Sequence, residues 1–377
     1  MKNLKQLFFT LMVGIYIASC GNASQEKLLD VASVLYQKGK TEEAMKIYDE
    51  LITNYPSCKE AYFNKGIILF QQKIYAQAIE LFSKAIEVDP MYGKAYLYRG
   101  KSYFLQSDFR SAEYDYKSAQ TDKETEYDAW LELGMLYVRK LDFEKGLRFL
   151  DQCVKVNDTN QIVLLSRASA YFEMENYRAS INDCNRLLHR VNNRWEGYLI
   201  KAKNYLFLDK MDSAKINLDL ARVYSNDHAQ VLAVYSEFYL MNDESAMAAS
   251  FAEKGLKKEP NNIGLILNRA RAFDGMERYD KANEIYLEIE KIADTIPEYH
   301  YYLANNLMSL GDSATAVVEL TDAIALRPNY SEAYLLRSKL KAKFGDMKGS
   351  VEDREKSRGK NLWKKDAIEE PIPVKKS

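Results

Sequence analysis

The stretch Trp130-Leu131-Glu132-Leu133-Gly134-Met135-Leu136-Tyr137 places large and small apolar side chains at 130, 133, 134 and 137, the spacing of one face of a helix. Stepping away from Gly134 by 34 residues in either direction finds a small residue every time: Ala32, Gly66, Gly100, Ala168, Ala202, Ser236, Ala270, Ala304 and Ser338. A second small site recurs twelve residues further on, at Ala44, Ala78, Ala112, Gly146, Ser180, Ala214, Ala248, Ala282, Ala316 and Ser350. All twenty are Ala, Gly or Ser, where chance would put roughly four. The phase defines ten units starting at Gln25, Lys59, Gly93, Tyr127, Gln161, Trp195, Ala229, Ile263, Pro297 and Ser331 and ending at Lys364, with no insertion.

Each unit reads as two antiparallel helices. The small residues, at the eighth and twentieth positions, allow close approach, and the bulky eleventh position fills the space beside it. That position holds Leu35, Leu69, Tyr103, Tyr137, Tyr171, Tyr205, Tyr239, Phe273 and Leu307, with Lys341 the exception. Pro56, Pro90, Pro260 and Pro328 fall after the second helix, where a helix must stop. Gly39, Gly311 and Gly345 fall between the two helices, where a left-handed residue is most useful.

These residues carry a resemblance to the tetratricopeptide repeat family. Trp130-x2-Leu133-Gly134-x2-Tyr137 is that family's first-helix signature, and Gly66, Ala78, Phe82, Ala85 and Pro90 stand in register in the second unit. The resemblance implies an all-α fold: a right-handed superhelical α-solenoid of about ten helix-turn-helix repeats over residues 25–364, with the first helices lining a concave face. Repeat units of this kind cannot bury a core alone and lean on their neighbours. In the tenth unit Lys341, Arg354 and Ser357 occupy positions that are mostly apolar elsewhere, which reads as a polar cap. From Ser331 onward the chain carries 13 basic and 8 acidic residues. Residues 365–377, with Glu369-Glu370-Pro371-Ile372-Pro373, read as a disordered tail.

The N-terminus reads as an address. Lys2 and Lys5 precede an apolar run from Leu7 to Ile17, shorter than the roughly 20 residues that span a bilayer, so residues 1–19 read as a secretory signal peptide. Ile17-Ala18-Ser19-Cys20-Gly21 resembles the bacterial lipobox, whose cysteine receives a diacylglyceryl group before cleavage and N-acylation. Several acyl chains anchor stably where one gives only marginal binding. Residues 20–24 would then be a lipidated N-terminus and short linker. Gly21 is not the Asp that retains lipoproteins at the inner membrane, so the resemblance implies a lipid-anchored protein of the bacterial cell envelope, at the outer membrane, with its face left open.

Composition narrows the chemistry. Lys and Arg number 53 against 54 Asp and Glu, a net charge of −1, so no long-range field favours nucleic acid. Three His and four Cys leave little for metal sites, and neither a phosphate-binding loop nor a Gly-x-Ser-x-Gly or His-Glu-x-x-His motif occurs. No enzymatic activity, cofactor or metal is expected. His300 stands at a usual packing position. Cys153 and Cys184 sit on adjacent second helices, and whether they pair is left open.

Binding remains. The family places ligand contacts at positions two, five, nine, twelve and thirteen of the first helix. The candidates there are Tyr36, Phe63, Phe70, Lys101, Phe104, Met135, Arg139, Phe172, Lys203, Arg271, Tyr301 and Asn305, aromatic toward the N-terminal end and more polar toward the C-terminal end. The five-residue clamp of chaperone-tail binding repeats is matched only by Asn64 and Lys94, with Leu29, Ser33 and Tyr98 at the other three places. The expected function is a membrane-anchored scaffold or adaptor for protein or peptide partners in envelope assembly or secretion. The alternative is a periplasmic, chaperone-like carrier gripping peptide through the aromatic half.

Overall fold

The structure is a computed structural model and describes residues 23–358; residues 1–19, read above as a signal peptide, Cys20 and residues 359–377 lie outside the described residues. Every regular element among the described residues is an α-helix. The chain divides into two compact units, one up to Asn192 and one from Asn193. The first contains α1 (residues 23–37), α2 (Thr41–Asn54), α3 (Lys59–Gln71), α4 (Tyr75–Val88), α5 (Gly93–Leu105), α6 (Phe109–Ala119), α7 (Glu126–Arg139), α8 (Phe143–Val156), α9 (Gln161–Glu173) and α10 (Tyr177–Arg190). The second contains α11 (Trp195–Phe207), α12 (Met211–Ser225), α13 (Ala229–Met241), α14 (Ser245–Leu256), α15 (Ile263–Gly275), α16 (Tyr279–Ala293), α17 (Pro297–Ser309), α18 (Ser313–Leu326), α19 (Ser331–Lys343) and α20 (Met347–Arg358). None of these helices is long and apolar enough to cross a membrane.

The 34-residue phase survives intact. All ten even-numbered helices begin at the seventeenth position of their unit, and from α3 onward the odd-numbered ones begin at the first position, with α7 one residue early. The predicted helix contact is present: the Ser180 hydroxyl donates to the Ala168 carbonyl at 2.8 Å, and the Ser236 hydroxyl to the Ala248 carbonyl at 2.8 Å. Both bonds join positions eight and twenty of one hairpin. A Cβ added at Gly66, Gly100 or Gly134 would come within 2.7–2.8 Å of Phe82, Tyr116 or Leu150, so at these places the facing side chain occupies the missing methyl's volume.

The turn inside each hairpin is also the same ten times. The fifteenth residue has a positive φ in every unit: at Gly39, Gly311 and Gly345, and also at Lys73, Ser107, Leu141, Glu175, Asp209, Asp243 and Glu277. Its N–H bonds three residues back and the next N–H five residues back, as when Lys73 donates to Phe70 and Ile74 to Leu69. This is a Schellman closure, which satisfies the last carbonyls of the first helix.

A second ladder, of charge, was not anticipated. Arg99, Arg167 and Arg337 each grip an aspartate sixteen residues on, Asp115, Asp183 and Asp353, through paired bonds of 2.6–2.8 Å. Each arginine also reaches sixteen residues back into the preceding hairpin, to Ser83, Asp151 or Thr321. The three aspartates are only 1–2% exposed. Burial pushes the Asp115 carboxyl up despite Arg99, whereas at Asp353 the bonds from Arg337 and Lys341 outweigh burial and hold it down. Lys341, read as a cap residue, thus completes a buried ion pair, with its Nζ 3.0 Å from Asp353. Ser357 is buried, and its hydroxyl donates to the Arg354 carbonyl.

Candidate functional site

Neighbouring first helices pack directly on one another: α3 on α5, α5 on α7 and α7 on α9 in the first unit, and α11 on α13, α13 on α15 and α15 on α17 in the second. No two successive second helices touch to that extent among the described residues. The first helices therefore line the inner side of each unit, the surface to which the candidate residues were assigned.

Much of that surface is engaged within the fold. Phe70, Phe104 and Phe172 at the twelfth position each lean on the first residue of their own second helix, Tyr75, Phe109 and Tyr177, with ring centroids 5.7, 5.5 and 6.0 Å apart. They seal the hairpin turn. Tyr36 donates its phenol proton to Gln71 of the next hairpin, and Phe63 is wedged among Phe82, Tyr92 and Tyr98. The aromatic half of the face is thus largely a packing feature, for the physical reason that a ring next to a tight turn is the cheapest way to exclude water from it. Met135 packs partly buried against the Leu131, Leu150, Cys153 and Val163 cluster.

Three of the four candidate cations also face groups of the fold. Lys101 lies 3.1 Å from Glu132 and over the Tyr98 ring. In the second unit Lys203, Glu237 and Arg271 follow one another at the ninth position of three successive hairpins. Burial pushes the Glu237 carboxyl up, against the opposing pull of Lys203 and Arg271. The Arg271 guanidinium stacks 4.2 Å over the Tyr302 ring, and beside it Asp274 accepts bonds of 2.7 Å from Asn306 and 2.8 Å from Tyr286. Tyr301 contacts Tyr302 and Tyr330, and the Asn305 amide donates back to the Tyr301 carbonyl at 2.8 Å. Arg139, at the exposed end of α7, projects into solvent.

What the candidate set omitted is the apolar part of the thirteenth position. Leu105, Phe207 and Met241 end their first helices 51%, 66% and 50% exposed, more open than the half-buried aromatic candidates Tyr36, Phe70, Phe104 and Phe172 at the twelfth position. Their signal in the sequence is a large apolar residue directly before a turn, outside the positions the repeat fills for its own packing.

The other residues singled out by type are accounted for locally. Lys94, of the incomplete clamp, pairs with Glu124 at 2.9 Å, and Tyr98 packs against Phe63, Phe70 and Phe82. Cys58, Cys153 and Cys184 are buried thiols, and burial pushes Cys153 up to about 12, far from the reactive thiolate range. His228 caps α13 and stacks on Trp195. His300, expected to pack, is buried against Tyr299 and is also bonded through both ring nitrogens: Nδ1 to Glu319 at 2.7 Å and Nε2 to the Asp294 carbonyl at 2.8 Å.

Hairpin geometry, repeat length and register define the class: the fold is an all-α solenoid of tetratricopeptide repeats. The tetratricopeptide repeat profile matches residues 29–90 and 75–129. The chain is similar to the DnaJ protein P58IPK homolog of Arabidopsis thaliana, 22% identical over 306 residues that cover 77% of this chain and 59% of that protein. It is also similar to Hsp70-Hsp90 organizing protein 2 of the same plant, 25% identical over 230 residues, 60% of this chain and 34% of that one. Among solved structures, the APC/C hetero-tetramer Cut9-Hcn1 superposes over 79% of this chain and 59% of its own with a TM-score of 0.58 at 14% identity. The chain therefore spans less than two thirds of the length of these relatives.

Proposed function

We propose that this protein is a tethered adaptor of the bacterial cell envelope, lipidated at Cys20, that holds a protein or peptide partner on the inner face of its first helices. Tetratricopeptide arrays bind such partners on surfaces their own packing leaves over. The observation that carries the reading here is the exposure of apolar side chains that end first helices, Leu105 in the first unit and Phe207 and Met241 on successive first helices of the second. Exposed apolar side chains on the surface that faces a partner mark interaction sites. No catalytic constellation, cofactor or nucleic acid enters this reading. The lipobox resemblance around Cys20 supports residues 1–19 as a cleaved signal and, with Gly21, the outer membrane as the destination, and the 34-residue phase supports residues 25–364 as the repeat array. Assembly or secretion within the envelope is the process it would serve.

The carrier reading, in which Phe70, Phe104 and Phe172 grip extended peptide, is less favoured because those rings already close their own turns. Two measurements test the adaptor. Metabolic labelling with palmitate should mark the wild type and not Cys20→Ala. Crosslinking capture from membranes should recover a partner set that survives about 0.5 M salt, since the side chains that would carry the contact are apolar. The set should be lost when Leu105, Phe207 and Met241 are all changed to Ser. An unlabelled wild type would refute the anchor, and an unchanged set would refute the face.

A further inference from the structure

Outside the inner face, the hairpin of α17 and α18 gathers the one mixed His and carboxylate cluster among the described residues. His300 is the fourth residue of α17, and Glu319 and Asp322 lie three residues apart on α18, hence on one side of that helix. One ligand atom from each residue falls within 4.8 Å of the others. His300 is 8% exposed, and its Nε2 is committed to the Asp294 carbonyl at 2.8 Å. A carbonyl only accepts, so Nε2 carries the hydrogen and Nδ1 is the nitrogen turned toward the two acids. Metal-bound histidines are oriented in this way, with the remote N–H fixed by a backbone carbonyl.

We propose that His300 Nδ1, Glu319 and Asp322 form a site for a divalent transition-metal ion, with Zn²⁺ the best match. One imidazole with two carboxylates is a borderline-soft donor set that suits Zn²⁺ over Mg²⁺ or Ca²⁺, which prefer all-oxygen shells. Three protein ligands leave a fourth position to water. Bonds of about 2.0–2.2 Å require the three groups to draw inward, and Asp322, exposed on the outer helix, is free to turn. The ion would replace the hydrogen now shared between Nδ1 and Glu319 at 2.7 Å, and its two charges would offset the two carboxylates. Nearby, the Tyr299 hydroxyl is buried without a hydrogen-bond partner and lies in the field of Glu319, Glu290 and Asp294, so the surroundings are acidic and favour a cation. The bound ion would staple the two helices of the ninth hairpin.

Titration calorimetry of the whole chain with ZnCl2 tests this. The expected result is one saturable site per chain, weakened by about tenfold or more in both His300→Gln and Asp322→Asn, and not displaced by excess MgCl2. Asp322→Asn alters an exposed side chain, so it reads the site without endangering the fold. Heats that do not saturate, unchanged affinity in Asp322→Asn, or displacement by Mg²⁺ would each overturn the assignment.

Discussion

At the level of single residues, the repeat imposes backbone conformations that its side chains do not all prefer. Seven of the ten left-handed turn residues are not glycine, and an L-residue there costs about 1–2 kcal/mol, partly offset because glycine loses more freedom on folding. Leu141, with a φ of 60° and 74% of its surface exposed, gains no packing in return. Leu141→Gly should therefore stabilise the protein by about 0.5 kcal/mol, read as a higher midpoint in urea; a lower midpoint would contradict the turn geometry. His300 offers a second test. Burial opposes its charge, but the Glu319 carboxylate and the Asp294 carbonyl overcome that and raise its pKa. The folded state then binds the proton more tightly than the unfolded chain, so the stabilisation is complete below about pH 6.5 and fades as pH rises through the folded value. With a chelator present, melting curves between pH 6 and pH 9 should fall more steeply for wild type than for His300→Gln. Parallel curves would exclude the ion pair.

At the level of helices, the close approach of the two halves of each hairpin was legible because it needs small residues at fixed positions, and small residues are visible in a sequence. Gly134→Leu should destabilise by about 1–3 kcal/mol, since even a Cβ there would meet the Leu150 side chain at 2.7 Å; unchanged thermal unfolding would refute the register. The arginine–aspartate ladder was not legible. Arg167 and Asp183 are sixteen residues apart on different helices, and only three units use the pair, so neither helical periodicity nor the repeat consensus points to it. Removing one partner strands the other where no second carboxylate is at hand: Asp115→Ala, which leaves Arg99 with the Ser83 hydroxyl, should cost about 3–5 kcal/mol. The double change Arg99→Met with Asp115→Leu should cost far less, because two apolar groups of similar size leave no charge stranded. Equal losses in the single and double variants would show that packing, not charge, holds this contact.

At the level of the molecule, what could be read in advance was the phase, and what could not was which surplus residues stay exposed. Phe70 and Phe104 looked like ligand contacts because they share a face. They turned out to close turns, since a neighbouring aromatic at Tyr75 or Phe109 is reached before any partner is. Lys101 and Arg271 likewise found internal acids or rings, contacts that depend on the stacking of one hairpin on the next. The exposure of Leu105, Phe207 and Met241 depends on how each first helix ends against its turn, which residue type alone does not record. The proposed adaptor role therefore rests on the inner face, and site-specific photo-crosslinking in cells tests it most directly. Crosslinkers at 105, 139, 207 and 241 on the first helices are predicted to capture a shared partner. Those at Tyr114, Val223 and Val318, exposed on the second helices, should not. Adducts arising only from the second-helix positions would contradict the account.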